Sequence, residues 1–248
     1  MISACGISID LDDTAFLFDV DGTLLDLAPT PREVWVPPEL REALSRLWRQ
    51  TDGAVAFVSG RPLEELDLIF APLQFAGVGG HGAEYRQNGA DTIIQLVDEL
   101  DPDTKRRLAM IAELGRGILV EDKGYSLALH YRLSPEKGPV VQGRVQEICK
   151  SLPPGSVEIL HGKAVVEVKH IGVNKATGVR RLLQHEPFAH RRPLFFGDDI
   201  TDEYVFPVMS EFGGMGFSIG RKIAGTNGHF KSPAELRRWI EGLIGYRI

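Results

Sequence analysis

Four groups of polar residues in this sequence have types and spacing that could support chemistry together. Asp19 and Asp21 lie in an Asp-Val-Asp-Gly-Thr segment, and Ser59 and Lys175 follow singly along the chain. The fourth group is the acidic segment Gly-Asp-Asp-Ile-Thr-Asp-Glu at residues 197–203. Carboxylates are hard oxygen ligands suited to Mg²⁺, and a lysine is a common phosphate ligand. Since the chain has no GxxxxGK[ST] loop for a polyphosphate, the set favours metal-assisted chemistry on a single phosphoryl group.

Each group also has a purely structural interpretation. The Asp-Val-Asp-Gly-Thr segment could be a turn, because Asp and Gly are frequent turn residues. Ser59 could cap a helix or a turn, and Lys175 could be a solvated side chain. At residues 197–203, Thr201 or Asp199 could cap a helix. The order and spacing of all four groups favour one shared site over four unrelated structural roles.

Short apolar segments lead into three of the four groups. They are typical of strands buried on both faces of a parallel sheet and lie at residues 15–18, 54–58 and 194–197. Apolar residues at helical spacing predict helices at residues 38–50, 62–70, 174–185 and 232–243. Ligands of parallel α/β sheets bind at the carboxyl ends of the strands, where Asp19, Ser59 and Asp198 fall. The sequence therefore predicts an α/β core with the site along one edge.

The middle of the chain has a different pattern. Residues 126–132 and 164–169 alternate between apolar and polar side chains, which predicts strands with one covered and one accessible face. Helices are expected at residues 102–114 and 140–149. We therefore expect a discontinuous core, residues 1–84 and 169–248, interrupted by a small α+β module at residues 85–168.

Composition excludes several classes of protein. The 248 residues include 28 Lys and Arg against 34 Asp and Glu, so a nucleic-acid partner is not expected. Cys5 and Cys149 form neither a disulfide framework nor a CxxC metal motif, which fits a reducing cytoplasm. The amino terminus does not resemble a signal peptide, and no apolar run reaches the roughly 18 residues of a membrane span. We expect a cytoplasmic protein with no membrane partner.

The motifs together resemble a known superfamily. Asp19-Val-Asp-Gly-Thr23, Ser59, Lys175 and Gly197-Asp-Asp are similar to the four motifs of haloacid-dehalogenase (HAD)-type phosphatases. Further segments narrow the resemblance to trehalose-6-phosphate phosphatases: Val58-Ser-Gly-Arg-Pro62, Gly80-His-Gly-Ala-Glu84, Ala128-Leu-His-Tyr-Arg132, Val166-Glu-Val-Lys169 and Gly197-Asp-Asp-Ile-Thr-Asp-Glu203. The resemblance covers residues 16–220. One departure is Ala176, where the family usually has glycine; alanine favours a helix, so little effect on Lys175 is expected.

The resemblance implies a HAD-like Rossmannoid three-layer α/β core with a parallel sheet. It also implies that the α+β insert, between the second and third motifs, is a cap domain that closes over the site and selects the substrate. By the same resemblance, Asp19 is the nucleophile that forms an aspartyl phosphate, and Asp21 is the general acid and later the base. Ser59 and Lys175 bind the transferring phosphoryl group.

The implied cofactor is Mg²⁺, held by Asp19, the backbone carbonyl of Asp21, and Asp198, with support from Asp202. Which of Asp198, Asp199 and Asp202 ligate the metal directly is left open. The accessible strand faces of the insert suggest sugar contacts, although a solvated sheet face is the structural alternative. The residues expected to bind substrate are Thr23, Gly60, Arg61, His81, Gly82, Glu84, Arg132, Lys163, Glu167, Lys169 and Asn174.

The resemblance implies an Mg²⁺-dependent phosphatase that converts trehalose 6-phosphate to trehalose and inorganic phosphate, the last step of trehalose biosynthesis. The core motifs leave open another HAD sugar-phosphate phosphatase, acting on sucrose phosphate or hexose phosphates. A sugar-phosphate sensor is a further alternative, as is a mutase that shares the Asp-x-Asp-Gly-Thr motif. A functional link to a trehalose-6-phosphate synthase is expected, and the enzyme is expected to act as a monomer.

Overall fold

A computed structural model describes residues 9–28 and 33–245 of the chain. Cys5 and the first eight residues lie outside this part, so their interpretation is not tested. The strands are β1 (Thr14–Phe18), β2 (Val55–Val58), β3 (Ala76–Gly79), β4 (Glu84–Arg86), β5 (Ile94–Gln95), β6 (Leu119–Asp122), β7 (Ser126–His130), β8 (Val157–Gly162), β9 (Val165–His170), β10 (Arg192–Gly197), β11 (Met215–Ile219) and β12 (Gly228–Phe230).

The helices are α1 (Pro38–Gln50), α2 (Leu63–Phe70), α3 (Pro102–Ala109), α4 (Gly138–Lys150), α5 (Lys175–Leu182), α6 (Phe206–Glu211) and α7 (Pro233–Ile244). Short 3-10 segments include Met110–Leu114, Gly80–Gly82 and Ile200–Tyr204. The expected helix at residues 102–114 is therefore α3 followed by a 3-10 segment. No helix of the described residues is long and apolar enough to cross a membrane.

The larger sheet has the strand order β12-β11-β10-β1-β2-β3-β4-β5. Strands β12 to β3 pair in parallel, and β4 is antiparallel to β3. β1 lies between β10 and β2, and all five of its residues are buried, which explains the uninterrupted apolar sequence of residues 15–18.

Helices cover both faces of this sheet. On β10, the ring of Phe195 lies 5.4 Å from Phe206 of α6, and the ring of Phe196 lies 5.3 Å from Trp239 of α7. Successive strand residues point to opposite faces, so α6 and α7 lie on different sides of the sheet. Buried residues of α1 and α2 join the same hydrophobic core as α7. The expected three-layer α/β core with a parallel sheet is confirmed.

The described chain divides into two compact units. Residues 9–28, 33–94 and 174–245 form the first, and residues 95–173 belong to the second. We expected the insert to span residues 85–168; residues 85–94 instead belong to the first unit, because β4 pairs with β3 of the core sheet. Residues 169–173 belong to the second unit.

The second unit is an antiparallel sheet, β6-β7-β9-β8, with helices on one face. Leu127 and Leu129 of β7 share a buried apolar cluster with Leu108 of α3 and Val141 of α4. The intervening positions of β7 face the other way, where Ser126 is paired with Lys169 and Ala128 with Glu167 of β9. The alternation in the sequence thus corresponds to an apolar covered face and a polar face.

Candidate active site

The three acidic and hydroxyl positions after β1, β2 and β10 lie along one edge of the core sheet. β1 pairs in parallel with both neighbours, so Asp19, Ser59 and Asp198 follow strands that end together. The backbone N–H of Asp19 donates to the carbonyl of Phe196 at 2.9 Å, and that of Ser59 donates to Val78 at 2.8 Å. These bonds extend the pairing of the sheet by one residue and so fix the backbone positions of Asp19 and Ser59.

Lys175, the first residue of α5, joins two of the carboxylates. Its Nζ donates to Oδ1 of Asp19 at 2.8 Å and to Oδ1 of Asp202 at 2.7 Å, and all three side chains are buried. Asn174 caps this helix, because its Oδ1 accepts the backbone N–H of Thr177 at 3.0 Å. The helix start therefore delivers the lysine to the carboxyl ends of β1 and β10.

Asp202 is held by the protein on both of its oxygens. Oδ1 accepts from Lys175, and Oδ2 accepts the backbone N–H groups of Asp198 at 2.9 Å and Asp199 at 3.0 Å. This arrangement ties the turn after β10 to α5. Asp202 is thus built into the hydrogen-bond framework of the site, and it orients the segment that carries Asp198.

Asp19, Asp198 and Asp202 each place a carboxylate oxygen within 4.8 Å of the others. An all-oxygen set of this kind suits a hard divalent cation. Burial and the neighbouring Asp202 raise the pKa of Asp19 to about 7, although Lys175 opposes them. Burial also raises the pKa of Asp202. Concentrated buried negative charge of this kind is stabilised by a bound cation, so the donor set fits a metal ion.

Gly22 leaves the space that Asp198 occupies. A Cβ on Gly22 would lie 2.3 Å from Oδ2 of Asp198, and its φ of +88° is in the region that favours glycine. The neighbouring Thr23 is buried, and its Oγ1 donates to Oδ1 of Asp198 at 3.3 Å. The Gly-Thr pair of the first motif therefore shapes and orients the carboxylate from the last motif.

Asp21 is held differently from Asp19. Nε of Arg61 donates to its Oδ2 at 2.5 Å and Nη2 donates to its Oδ1 at 2.8 Å, while Nη1 of Arg61 pairs with Glu65 of α2. The backbone N–H of Arg61 donates to Oγ of Ser59 at 3.2 Å. The first and second motifs are therefore joined by a two-pronged ion pair that the sequence did not predict.

The Gly-His-Gly-Ala-Glu segment forms a tight turn after β3. His81 has φ 55°, and a Cβ on Gly60 would lie 2.4 Å from its Nε2, so Gly60 makes room for the imidazole ring. Gly82 has φ +104°, and a Cβ there would lie 2.3 Å from the carbonyl oxygen of Asn174. Glu84 is buried, and its Oε2 accepts the backbone N–H of Leu63 at the start of α2, at 2.6 Å.

The expected substrate-binding residues of the second unit divide into two groups. Glu167 and Lys169 are buried on the polar face of the sheet, and Lys169 pairs with Glu158 and with the carbonyl of Val173. Arg132 and Lys163 are linked to each other, since Nη2 of Arg132 donates to the Lys163 carbonyl at 3.2 Å.

Two polar side chains around Glu167 were missed by sequence reasoning. Nζ of Lys123 lies 3.2 Å from both carboxylate oxygens of Glu167, and Oγ of Ser126 donates to Oε1 at 2.6 Å. Glu121 extends this polar face and pairs with Nε2 of His130 at 2.7 Å. Ser126 lies in the alternating segment at residues 126–132, so a signal for it was present in the sequence.

The fold is that of solved hydrolases of the HAD-like class. A solved HAD-like hydrolase from Bacteroides thetaiotaomicron shares the fold with a TM-score of 0.67 at 16% identity, over 93% of this chain and 99% of that one. The solved C-terminal domain of trehalose-6-phosphate phosphatase from C. albicans gives a TM-score of 0.83 at 23% identity, over 96% and 94% of the two chains.

Sequence comparison narrows the class to one family. The family model described as trehalose-phosphatase matches residues 17–236. Trehalose-6-phosphate phosphatase from Escherichia coli is 36% identical over 228 residues, which cover 92% of this chain and 85% of that protein. The chain belongs to the trehalose-phosphatase family.

Proposed function

We propose that this protein hydrolyses trehalose 6-phosphate to trehalose and inorganic phosphate, the last step of trehalose biosynthesis. The observation that carries the proposal is the buried Lys175, which bridges Asp19 and Asp202 at the end of the core sheet in a chain of the trehalose-phosphatase family. A buried lysine facing a nucleophilic carboxylate stabilises negative charge on a transferring phosphoryl group.

In the first half of the reaction, an Oδ of Asp19 attacks phosphorus. The bond from phosphorus to the sugar oxygen breaks, the leaving oxygen takes a proton from Asp21, and an aspartyl phosphate remains on Asp19. In the second half, Asp21 takes a proton from a water molecule that attacks phosphorus, so phosphate leaves and the Asp19 carboxylate is restored. Lys175 and Ser59 balance and orient the charge on the phosphoryl oxygens.

Mg²⁺ is the cation that this donor set would hold. Asp19, Asp198 and the backbone carbonyl of Asp21 would ligate the ion directly. Asp202 would orient these ligands rather than bind the ion, since its oxygens already accept hydrogen bonds from Lys175 and from two backbone amides. When bound, the ion neutralises negative charge in the site, which allows two carboxylates and a phosphate to come together.

The polar face of the second unit supports a sugar-phosphate substrate. It presents Glu167, Lys169 and their neighbours Lys123 and Ser126, which are donors and acceptors suited to sugar hydroxyl groups. We further propose that the enzyme is a cytoplasmic monomer. Its substrate would come from a trehalose-6-phosphate synthase.

A phosphate-release assay with purified protein and Mg²⁺ tests the function. Trehalose 6-phosphate should be hydrolysed far faster than sucrose 6-phosphate or glucose 6-phosphate, and the product should be inorganic phosphate rather than an isomeric sugar phosphate. Asp19→Asn should abolish turnover while the fold remains intact by circular dichroism. Equal turnover of hexose phosphates would reject the specificity, and an active Asp19→Asn variant would reject the nucleophile.

A further inference from the structure

The proposed mechanism does not account for the contacts of Arg61. Its side chain is only 9% exposed, and Nε, Nη1 and Nη2 all contact carboxylates. Two of these nitrogens bind both oxygens of Asp21, at 2.5 and 2.8 Å, and the third pairs with Glu65. A guanidinium fork that binds both oxygens of a carboxylate fixes the plane of that carboxylate as well as its position.

The side chain of Asp21 needs a contact that fixes its orientation. It lies in the turn after β1, where the backbone N–H groups of Leu24 and Leu25 both donate to the carbonyl of Val20, at 3.0 and 2.9 Å. This turn fixes the backbone, but the Asp21 side chain is 30% exposed and so is not held by packing alone. A general acid must point at the leaving oxygen, since small displacements of a reacting group reduce rates strongly.

Glu65 is placed to hold the arginine in turn. It lies on the first turn of α2, four residues after Arg61, and its side chain is 28% exposed. Oε1 of Glu65 pairs with Nη1 of Arg61, so Glu65 anchors this nitrogen of the guanidinium while Nε and Nη2 face Asp21.

We infer that Arg61 is a positioning residue that orients the Asp21 carboxylate for proton transfer, and that Glu65 anchors Arg61. The inference rests on the proposed function and gives Arg61 a role other than the direct substrate contact expected from the sequence. Arg61 acts on the reaction through Asp21, so its loss should impair only those steps in which Asp21 moves a proton.

The test compares two phosphate esters. The sugar oxygen of trehalose 6-phosphate needs a proton to leave, whereas the phenolate of p-nitrophenyl phosphate leaves without one. Because acid–base catalysis contributes roughly 10²–10⁴-fold, Arg61→Ala should slow the release of trehalose in a single turnover at least about tenfold, with little change in KM. The rate of p-nitrophenolate release in a single turnover should stay near that of the unmodified enzyme, because this leaving group needs no acid. Steady-state kcat should fall for both esters, because Asp21 is the base of the second half that they share. Asp21→Asn should show the same pattern more strongly.

Two further variants separate orientation from charge. Arg61→Lys keeps the positive charge but loses the fork, so it should resemble Arg61→Ala. Glu65→Gln leaves the ion pair between Arg61 and Asp21 in place. It should give the same selective loss of activity on the sugar ester, but a smaller one. In the Asp21→Asn background, Arg61→Ala should have no additional effect on kcat for either ester, because both residues act through one proton transfer.

Arg86→Ala is the matched control. Arg86, on β4, is also buried and binds both oxygens of an acid on α2, Asp67, at 2.6 Å each, but its remaining hydrogen bonds go to the carbonyl of Phe75 and not to Asp21. Its loss should lower the free energy of unfolding and leave the ratio of the two single-turnover release rates unchanged. Thermal unfolding of every variant shows which of them are folded.

The inference is overturned if Arg61→Ala slows the release of trehalose and of p-nitrophenolate equally in a single turnover, or if it raises both KM values and leaves these rates unchanged. The second result would make Arg61 a phosphate ligand. A failure of the proposed function looks different: the unmodified enzyme would then fail to hydrolyse trehalose 6-phosphate. In that event, the comparison is made with whichever sugar phosphate the enzyme does hydrolyse.

Discussion

At the scale of single residues, Gly22 is required both for its positive φ and for the space that it leaves to the Asp198 carboxylate. Gly22→Ala should destabilise the fold by about 1 kcal/mol, because φ is positive there. The added Cβ would also displace the Asp198 carboxylate. We expect the Mg²⁺ concentration for half-maximal activity to rise by about tenfold or more, since displaced metal-site groups usually cost that much.

Gly220→Ala separates the two effects. Gly220 has φ +73°, and a Cβ there would meet nothing within 4 Å. This variant should show a similar loss in the free energy of unfolding by urea titration, with an unchanged Mg²⁺ requirement. If both variants shift the Mg²⁺ requirement equally, the contact between Gly22 and Asp198 is not what shapes the metal site.

Asp19 provides a test of metal binding that does not depend on catalysis. With its pKa raised to about 7, the carboxyl of the metal-free enzyme is mostly protonated below that pH. A cation favours the ionised form, so binding Mg²⁺ should release the proton at about pH 6 and release almost none at about pH 9. Calorimetry in buffers with different ionisation enthalpies counts the protons. Equal release at both pH values would contradict this assignment.

At the scale of elements, the amino end of α5 sets the position of Lys175. Asn174→Ala removes the cap on Thr177 and should cost about 1 kcal/mol of stability. Because Lys175 is the next residue, kcat for trehalose 6-phosphate should fall as well. Ser232→Ala is the control, since Ser232 caps α7 by accepting from the N–H of Glu235 at 3.4 Å. It should lower stability without lowering kcat; an equal loss of kcat would point to a general effect of weakened caps.

Strands that are buried on both faces were the easiest elements to predict. β2 and the last four residues of β1 and of β10 are continuous apolar runs because helices cover both sides of the sheet, so the carboxyl ends of these strands could be located from the sequence. β3 has the sequence Ala-Gly-Val-Gly, which has a single β-branched residue and weak strand character. Its place in the sheet follows from pairing with β2, which a local pattern does not show.

The contacts within the site were less predictable than its location. Strand ends and the start of α5 bring Asp19, Lys175 and Asp198 to one edge, as their spacing predicted. The pair between Arg61 and Asp21 joins positions 40 residues apart, and that between Lys123 and Glu167 joins positions 44 apart. Such pairs depend on side-chain direction and on the meeting of distant strands, which residue types and periodicity do not determine.

At the scale of the whole molecule, we propose that the first unit carries the chemistry and that the polar face of the second unit recognises the sugar. Glu167→Gln should raise KM for trehalose 6-phosphate by about tenfold, because a charged acceptor for sugar hydroxyls is lost. The kinetics of p-nitrophenyl phosphate, which has no sugar, should not change. Asp122→Asn is the control, since Asp122 is paired with Leu127 and so lies on the covered face of the same sheet. Equal effects on both esters would remove Glu167 from sugar recognition.

The central claim is that the phosphate of trehalose 6-phosphate passes through Asp19. Acid quenching during turnover, followed by borohydride reduction, converts an aspartyl phosphate into homoserine, which peptide mass spectrometry can locate. The account predicts homoserine at position 19, its dependence on Mg²⁺, and its accumulation in the Asp21→Asn variant if that variant slows the hydrolysis step more than the first step. Reduction at another carboxylate, or none during active turnover, would contradict it.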